Sequence, residues 1–175
     1  MTAAPQPTAR RRGRALVAAV VGTRAAALQV DLALIAVRTA LAWIFIWYGA
    51  GKLFGSFNGM GIHGTAVYFS SAAHLHPGGF FAVLGGVIEF GGGIALVLGL
   101  GSRIAGLALF GDMVMAMITI TWVNGINSEK LPPGYSLNVA LAVLALVVAL
   151  LGAGRFSVDA LAERRLHTME NGLGR

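Results

Sequence analysis

Apolar residues gather in four runs along the chain, and short polar or glycine-rich segments separate the runs. They lie within residues 32–48, 80–100, 104–123 and 137–151. A helix needs about 20 apolar residues to cross the hydrocarbon core of a bilayer. The pattern therefore predicts an all-α integral membrane protein, a four-helix bundle with spans at about residues 30–52, 79–100, 103–123 and 136–153.

The composition agrees with a membrane protein. Hydrophobic residues make up 57% of the chain and charged residues only 11%, whereas soluble domains carry about 25% charged residues. Four spans and their connections take up most of the 175 residues. We therefore expect one membrane domain at 28–160, preceded by a basic tail and interfacial lead-in at 1–27 and followed by a second tail at 161–175.

Lys and Arg fall mainly on one side of the predicted bundle. The opposite side holds only Lys52 and Lys130. Because short cytoplasmic segments carry the excess of positive charge, we expect both termini in the cytoplasm. Aromatic residues at the predicted outer helix ends agree with this orientation, since amphipathic rings favour the lipid headgroups; they include Trp47, Tyr48, Trp122 and Tyr135.

Three ionisable side chains interrupt the first three apolar runs, namely Arg38, Glu89 and Asp112. A charge at the centre of a membrane helix costs roughly 3 kcal/mol on insertion scales. Counted from the predicted cytoplasmic ends at about 1.5 Å per residue, these side chains lie about 10, 16 and 13 Å deep. We therefore predict that Arg38 pairs with Glu89, with Asp112 or with both. Two interpretations remain open: an ion pair that sets helix register, and a ligand or proton site.

Glycine is frequent beside this predicted charge cluster. Gly91, Gly92 and Gly93 follow Glu89 almost directly. Small residues allow helix backbones to approach closely in lipid, so tight packing is the first interpretation. The second interpretation is that these glycines line a cavity where a flat ligand lies against the backbone.

Several kinds of chemistry lack the residues they require. The chain contains no cysteine, which excludes disulfides, thiolate nucleophiles and sulfur ligands. His63, His74 and His76 lie in the predicted outer loop at 55–79 without Asp, Glu or Cys, so we predict no metal site there. We also find no catalytic triad, phosphate loop or dinucleotide fingerprint, assign no catalytic residue and expect no nucleic-acid partner.

Within the predicted outer loop at 55–79, residues 65–75 are predicted to form a short surface helix.

Four motifs taken together resemble the DoxX family of small bacterial membrane proteins. Arg38 leads into WYGAGKLF at 47–54, which contains Lys52. IEFGGG follows at 88–93, LGLGSR at 98–103 and GAGRFSVD at 152–159. Asp112 lies outside these motifs, so its predicted role depends on the charge argument alone.

The resemblance implies a four-helix bundle of the bacterial inner membrane that is linked to redox metabolism. Relatives are associated with thiosulfate:quinone oxidoreductase subunits, and one with a complex that contains a superoxide dismutase and a rhodanese-like sulfurtransferase. We expect a membrane subunit of a redox complex, not necessarily catalytic itself, with quinone as the candidate cofactor and soluble redox enzymes as candidate partners. A quinone beside Gly91–Gly93 would accept a hydrogen bond from Arg38 or Lys52 and exchange a proton with Glu89.

Two alternatives stay open. The first is a scaffold whose basic tails dock soluble enzymes while the buried charges only set helix register. The second is a small transporter with a proton or ion relay, which four short helices accommodate best as a homo-oligomer.

After the fourth run, Arg155 and Asp159 are four residues apart and are predicted to pair along a short helix.

Overall fold

The computed structural model describes residues 27–127, 129 and 131–173, with side chains described for 28–127, 129 and 131–165. The N-terminal tail up to residue 26 and Lys130 therefore lie outside the described residues. Within the described residues, six α-helices follow one another: α1 Ala27–Phe54, α2 Gly61–Ser71, α3 Gly78–Leu98, α4 Ser102–Ala116, α5 Ser136–Leu151 and α6 Val158–Leu173. No strand occurs in these described segments, which confirms the all-α prediction for them.

In the part of the chain that the structure describes, three helical stretches are long and apolar enough to cross a membrane: Leu28–Phe54, Gly78–Leu98 and Ser102–Asn124. The third consists of α4, a π-helical turn at Met117–Thr121 and a 3-10 turn at Trp122–Asn124. The fourth predicted span forms α5, which is apolar but only 16 residues long. A membrane protein is thus supported by the helices, while the count of four spans stays a prediction.

The helices pack as two close antiparallel pairs, α1 with α3 and α4 with α5. Glycine makes both contacts close, because a methyl group on Gly49 of α1 would overlap the backbone of Phe90 in α3, and one on Gly106 of α4 would lie 2.8 Å from the Ala145 carbonyl oxygen in α5. Apolar side chains from all four helices fill the space between the pairs; they include Phe45, Leu96, Leu109, Leu141 and Val148.

The two ends of the bundle differ. At the Lys52 end, α1 leads through a 3-10 turn at Ser56–Asn58 into α2, which packs across α3 and α1. Helix α2 begins four residues earlier than the surface helix predicted at 65–75. At the Arg38 end, α3 stops at Gly99, whose φ of 67° is left-handed and therefore suits glycine. This end also contains the start of α4 and the segment 152–157 between α5 and α6.

Candidate functional site

A cavity of about 650 Å³ lies at the Lys52 end. Its walls come from α1, α3 and α4, and from α2 together with the 3-10 turn that precedes it. Most of the lining is apolar or aromatic, and it includes Trp47, Phe69, Phe81, Ile88, Leu107 and Met115. Ligand pockets are typically about 300–1,000 Å³ and apolar, with a few placed polar groups. The cavity therefore has the size and surface for a lipophilic small molecule.

An ion pair between α1 and α3 lies beside this cavity. Lys52 Nζ donates a hydrogen bond of 2.6 Å to Glu89 Oε1. The close contact at Gly49 brings α1 against α3, and the Lys52 side chain extends back along α3 to reach the carboxyl. Glu89 is almost fully enclosed at 3% side-chain exposure, whereas Lys52 keeps 25% and lines the cavity.

Asp112 of α4 brings a second carboxyl group to the same place. It lines the cavity, interacts with the Glu89 carboxyl and is attracted by Lys52. Two carboxylates and one ammonium carry a net formal charge of −1, so a single proton shared by the carboxyls makes the cluster neutral. Glu89 Oε2 and Asp112 Oδ2 are buried and have no donor within the described part of the chain. These three residues form what we call the cavity triad: Lys52, Glu89 and Asp112.

Arg38 does not belong to this triad, and the prediction that it pairs with Glu89 or Asp112 is wrong. Its guanidinium instead donates to backbone carbonyl oxygens, at 2.9 Å to Leu96 and 3.2 Å to Val97 in the last turn of α3. It also donates at 2.6 Å to Ala153 and 3.4 Å to Phe156 in the segment before α6. Arg38 is 4% exposed and holds the Arg38 end together.

The error has a geometric cause. The sequence-based depths were counted from the ends of the apolar runs, as though those ends were level with one another. In the fold, the end of α3 at Gly99 lies against Arg38, and Glu89 lies near the level of Gly49. Residues 38 and 49 are about 17 Å apart along α1 at a rise of about 1.5 Å per residue. The two charges therefore occupy different ends of the bundle.

The three glycines after Glu89 do not line the cavity. A methyl group on Gly92 would contact the Leu109 side chain at 3.0 Å, and one on Gly93 would lie 2.8 Å from Ile46. Both therefore serve close helix packing. Gly91 faces open space and is absent from the cavity wall. The glycines that do line the cavity are Gly51, Gly59, Gly85 and Gly111.

A second polar cluster ties α6 to the bundle at the Arg38 end. Asp31 pairs with Arg155 at 2.6 Å, and Asp159 accepts hydrogen bonds from the backbone N–H groups of Gly101 and Ser102 at the start of α4. The predicted Arg155–Asp159 pair is therefore wrong. Each residue binds another helix because the segment 152–157 turns the chain back across the bundle end.

The histidines of the outer loop have no metal-binding neighbours in the described segments, where no group of three or more His, Cys, Asp or Glu side chains converges.

One polar cavity residue had no signal in the sequence. Thr65 of α2 lines the cavity with a buried hydroxyl that has no partner among the described residues. A lone threonine in a loop helix is too common to mark a site, and only the packing of α2 over α3 reveals it.

The comparisons with known proteins agree with the motifs. The family model of DoxX matches residues 33–122, about half of the chain. That segment contains Arg38 and the complete cavity triad. Comparisons with curated proteins and with solved structures give no match. The match over α1 to α4 shows that this chain is a member of the DoxX family of membrane proteins.

Proposed function

We propose that the protein is a multi-pass membrane subunit of a bacterial redox complex and that its cavity binds a quinone-class molecule. One observation carries this proposal. An apolar cavity of about 650 Å³ lies beside the partly buried ammonium of Lys52, the buried carboxyl group of Glu89 and the partly buried carboxyl group of Asp112. Charged groups inside a membrane bundle are costly and often mark ligand or proton sites.

The triad has the groups that quinone chemistry uses. Lys52 keeps two N–H donors after binding Glu89 and can donate one to a ring oxygen. Reducing a quinone to a hydroquinone takes up two electrons and two protons, and a carboxyl group such as Asp112 can transfer a proton at the ring oxygen. The chain has no cysteine, so in this proposal the electrons come from a partner redox enzyme. Superoxide dismutase-like and sulfurtransferase-like enzymes are the partners that the family resemblance implies.

The cavity wall also offers an entry for a lipid-soluble ligand. Leu107 and Met115 of α4 line the cavity and are exposed, at 57% and 42%. Between them lies Gly111, where an added methyl group would meet open space. A molecule dissolved in the bilayer can therefore reach the triad through this side of α4 without first entering water.

The proposed location is the bacterial inner membrane, with both termini in the cytoplasm. Arg155, Arg164 and Arg165 at or near the Arg38 end support this orientation, since positive charge favours the cytoplasmic side. The Lys52 end and its cavity then lie toward the outer leaflet.

Two matched variants test the ligand site. Gly111→Phe adds a ring at the cavity wall, whereas Gly91→Phe adds the same ring at an equally open position outside the cavity. We expect purified Gly111→Phe protein in nanodiscs to lose saturable binding of 2-decyl-1,4-benzoquinone, and Gly91→Phe protein to keep it. Equal binding by both variants would contradict the proposed site.

A scaffold is the second candidate, and the amphipathic helix α6 favours it. This helix is anchored to the bundle at Asp159 and carries exposed Arg164 and Arg165. Deleting residues 1–24 together with residues 161–175 removes both basic tails, including most of α6, and separates the two functions. A scaffold loses co-purifying soluble enzymes and never contained quinone, whereas a ligand-binding subunit keeps the quinone that mass spectrometry detects in the purified protein.

A further inference from the structure

We infer that the ligand presents a hydrogen-bond donor to the cavity triad, so that the cavity binds the hydroquinone form in preference to the quinone. This inference rests on the proposed function, because it specifies which form of the ligand occupies the same site. It comes from an imbalance between donors and acceptors around the triad.

The carboxyl oxygens there outnumber the hydrogen bonds that the described residues donate to them. Three buried oxygens of cavity or triad residues have no partner in the described part of the chain: Thr65 Oγ1 on α2, Glu89 Oε2 on α3 and Asp112 Oδ2 on α4. Two of them are carboxyl oxygens, which accept hydrogen bonds but donate only when protonated. The described donor to either carboxyl is Lys52, and its bond goes to Glu89 Oε1.

A shared proton does not remove the imbalance. One proton between Glu89 and Asp112 satisfies one facing pair of oxygens and leaves the other Asp112 oxygen without a donor. That oxygen, Oδ1, faces Gly85, where an added methyl group would lie 3.5 Å from it. Because both residues line the cavity, a ligand in the cavity can reach this oxygen.

The two forms of the ligand differ in what they offer to Asp112. A phenolic O–H donates to the carboxylate, whereas a quinone carbonyl places one acceptor against another and leaves Asp112 Oδ1 without a donor. Lys52 does not discriminate, since a carbonyl oxygen and a phenol oxygen both accept its N–H. Preference between the forms therefore arises at Asp112.

Three probes that differ only at the ring oxygens test this inference: 2-decylhydroquinone, 2-decyl-1,4-benzoquinone and the dimethyl ether of the hydroquinone. Binding is measured under anaerobic conditions as the excess of probe in protein-loaded over empty nanodiscs. We expect the hydroquinone to bind about tenfold more tightly than the quinone, the order expected for one buried hydrogen bond. The ether, which has no donor, should bind no better than the quinone.

Two variants connect the preference to Asp112. Asp112→Asn replaces the acceptor by an amide that can also donate, so quinone should then bind at least as tightly as hydroquinone. Gly85→Ala covers Oδ1 at an ordinary van der Waals distance, leaves all charges in place, and should also remove the preference. Gly91→Phe is the control that keeps it.

Each outcome decides one question. Quinone binding equal to or tighter than hydroquinone binding in the native protein overturns the inference and leaves the proposed quinone site standing. A hydroquinone preference that survives both Asp112→Asn and Gly85→Ala also overturns the inference and leaves the proposed quinone site standing. Absence of saturable binding for both probes overturns the proposed function, and the inference with it.

Discussion

Arg38 Nε of α1 donates a hydrogen bond of 2.9 Å to the backbone carbonyl oxygen of Leu96 in α3. The last carbonyls of a helix have no partner within the helix, and a cation near them also favours the helix dipole. Arg38 serves this end of α3 and, with its other nitrogens, the carbonyls of Ala153 and Phe156. Arg38, which was predicted to pair with a carboxylate, thus caps the carbonyl groups of two chain segments.

Removing this cap should destabilise the protein strongly. Hydrogen bonds from a charged donor contribute about 1.5–3 kcal/mol each, and Arg38→Met leaves several buried carbonyls unsatisfied. We expect a loss of at least about 3 kcal/mol in the free energy of unfolding, measured by denaturant titration in detergent. Arg103→Gln removes an exposed arginine at the same end and should change stability by less than about 0.5 kcal/mol. Similar losses for the two variants would contradict the capping role.

The sequence predicted the helices well because hydropathy and helix punctuation are local properties. The apolar runs became α1, α3, α4 and α5, and the glycines at 99 and 101 separate α3 from α4 where the sequence placed that boundary. The DoxX resemblance, which depends on motif order, was also confirmed.

Charge pairing could not be predicted in the same way, because it depends on how far each helix is shifted along its neighbour. Lys52 was predicted as a hydrogen-bond donor to a ligand, and its pairing with Glu89 was not predicted. Arg38 appeared to face Glu89, yet it lies level with the end of α3. The cavity could not be predicted from the sequence either, since it requires α2 to fold across α3.

The pair of Lys52 and Glu89 should show strong coupling in a double-mutant cycle. Lys52→Met leaves an almost fully buried carboxyl without its partner, and breaking such a pair costs about 3–5 kcal/mol. Glu89→Gln in the same chain removes the unpaired charge, so the double variant should recover much of this loss. Denaturant unfolding of the native protein, both single variants and the double variant gives the coupling energy. Additive effects would mean that the two side chains do not depend on each other.

The contact between α1 and α3 should be intolerant of a methyl group at Gly49. An added Cβ there would overlap the backbone of Phe90, which cannot move without shifting a helix. We expect Gly49→Ala to cost about 1–3 kcal/mol, as overpacking does, whereas Gly91→Ala, which meets open space, should be neutral or slightly stabilising through helix propensity. Thermal unfolding of the two variants in the same detergent makes the comparison, and a stable Gly49→Ala protein would contradict this packing.

Asp159 should control the attachment of α6. Its carboxylate accepts from the N–H groups of Gly101 and Ser102, and its own N–H donates to Gly99. Asp159→Ala removes a carboxylate cap at the start of α4, which costs about 1 kcal/mol, and with it two of the three hydrogen bonds that Asp159 makes to residues 99–102. We therefore expect limited proteolysis to cut α6 faster in Asp159→Ala than in Glu163→Ala, which changes an exposed residue on the same helix. Equal cleavage rates would show that other contacts hold α6.

The absence of cysteine makes the proposed orientation directly measurable, because any introduced thiol is the only one in the chain. Ser71 at the end of α2 and Glu163 on α6 are both exposed and belong to opposite ends of the bundle. In cells with an intact inner membrane and a permeabilised outer membrane, a charged maleimide should label Ser71→Cys but not Glu163→Cys. Both should react after the inner membrane is broken, which controls for accessibility. The reverse pattern would mean that the bundle has the opposite orientation in the membrane and that the cavity lies in the cytoplasmic leaflet. Labelling of both in intact cells would mean that the two ends share one side, so that the apolar helices cross the bilayer an even number of times between them.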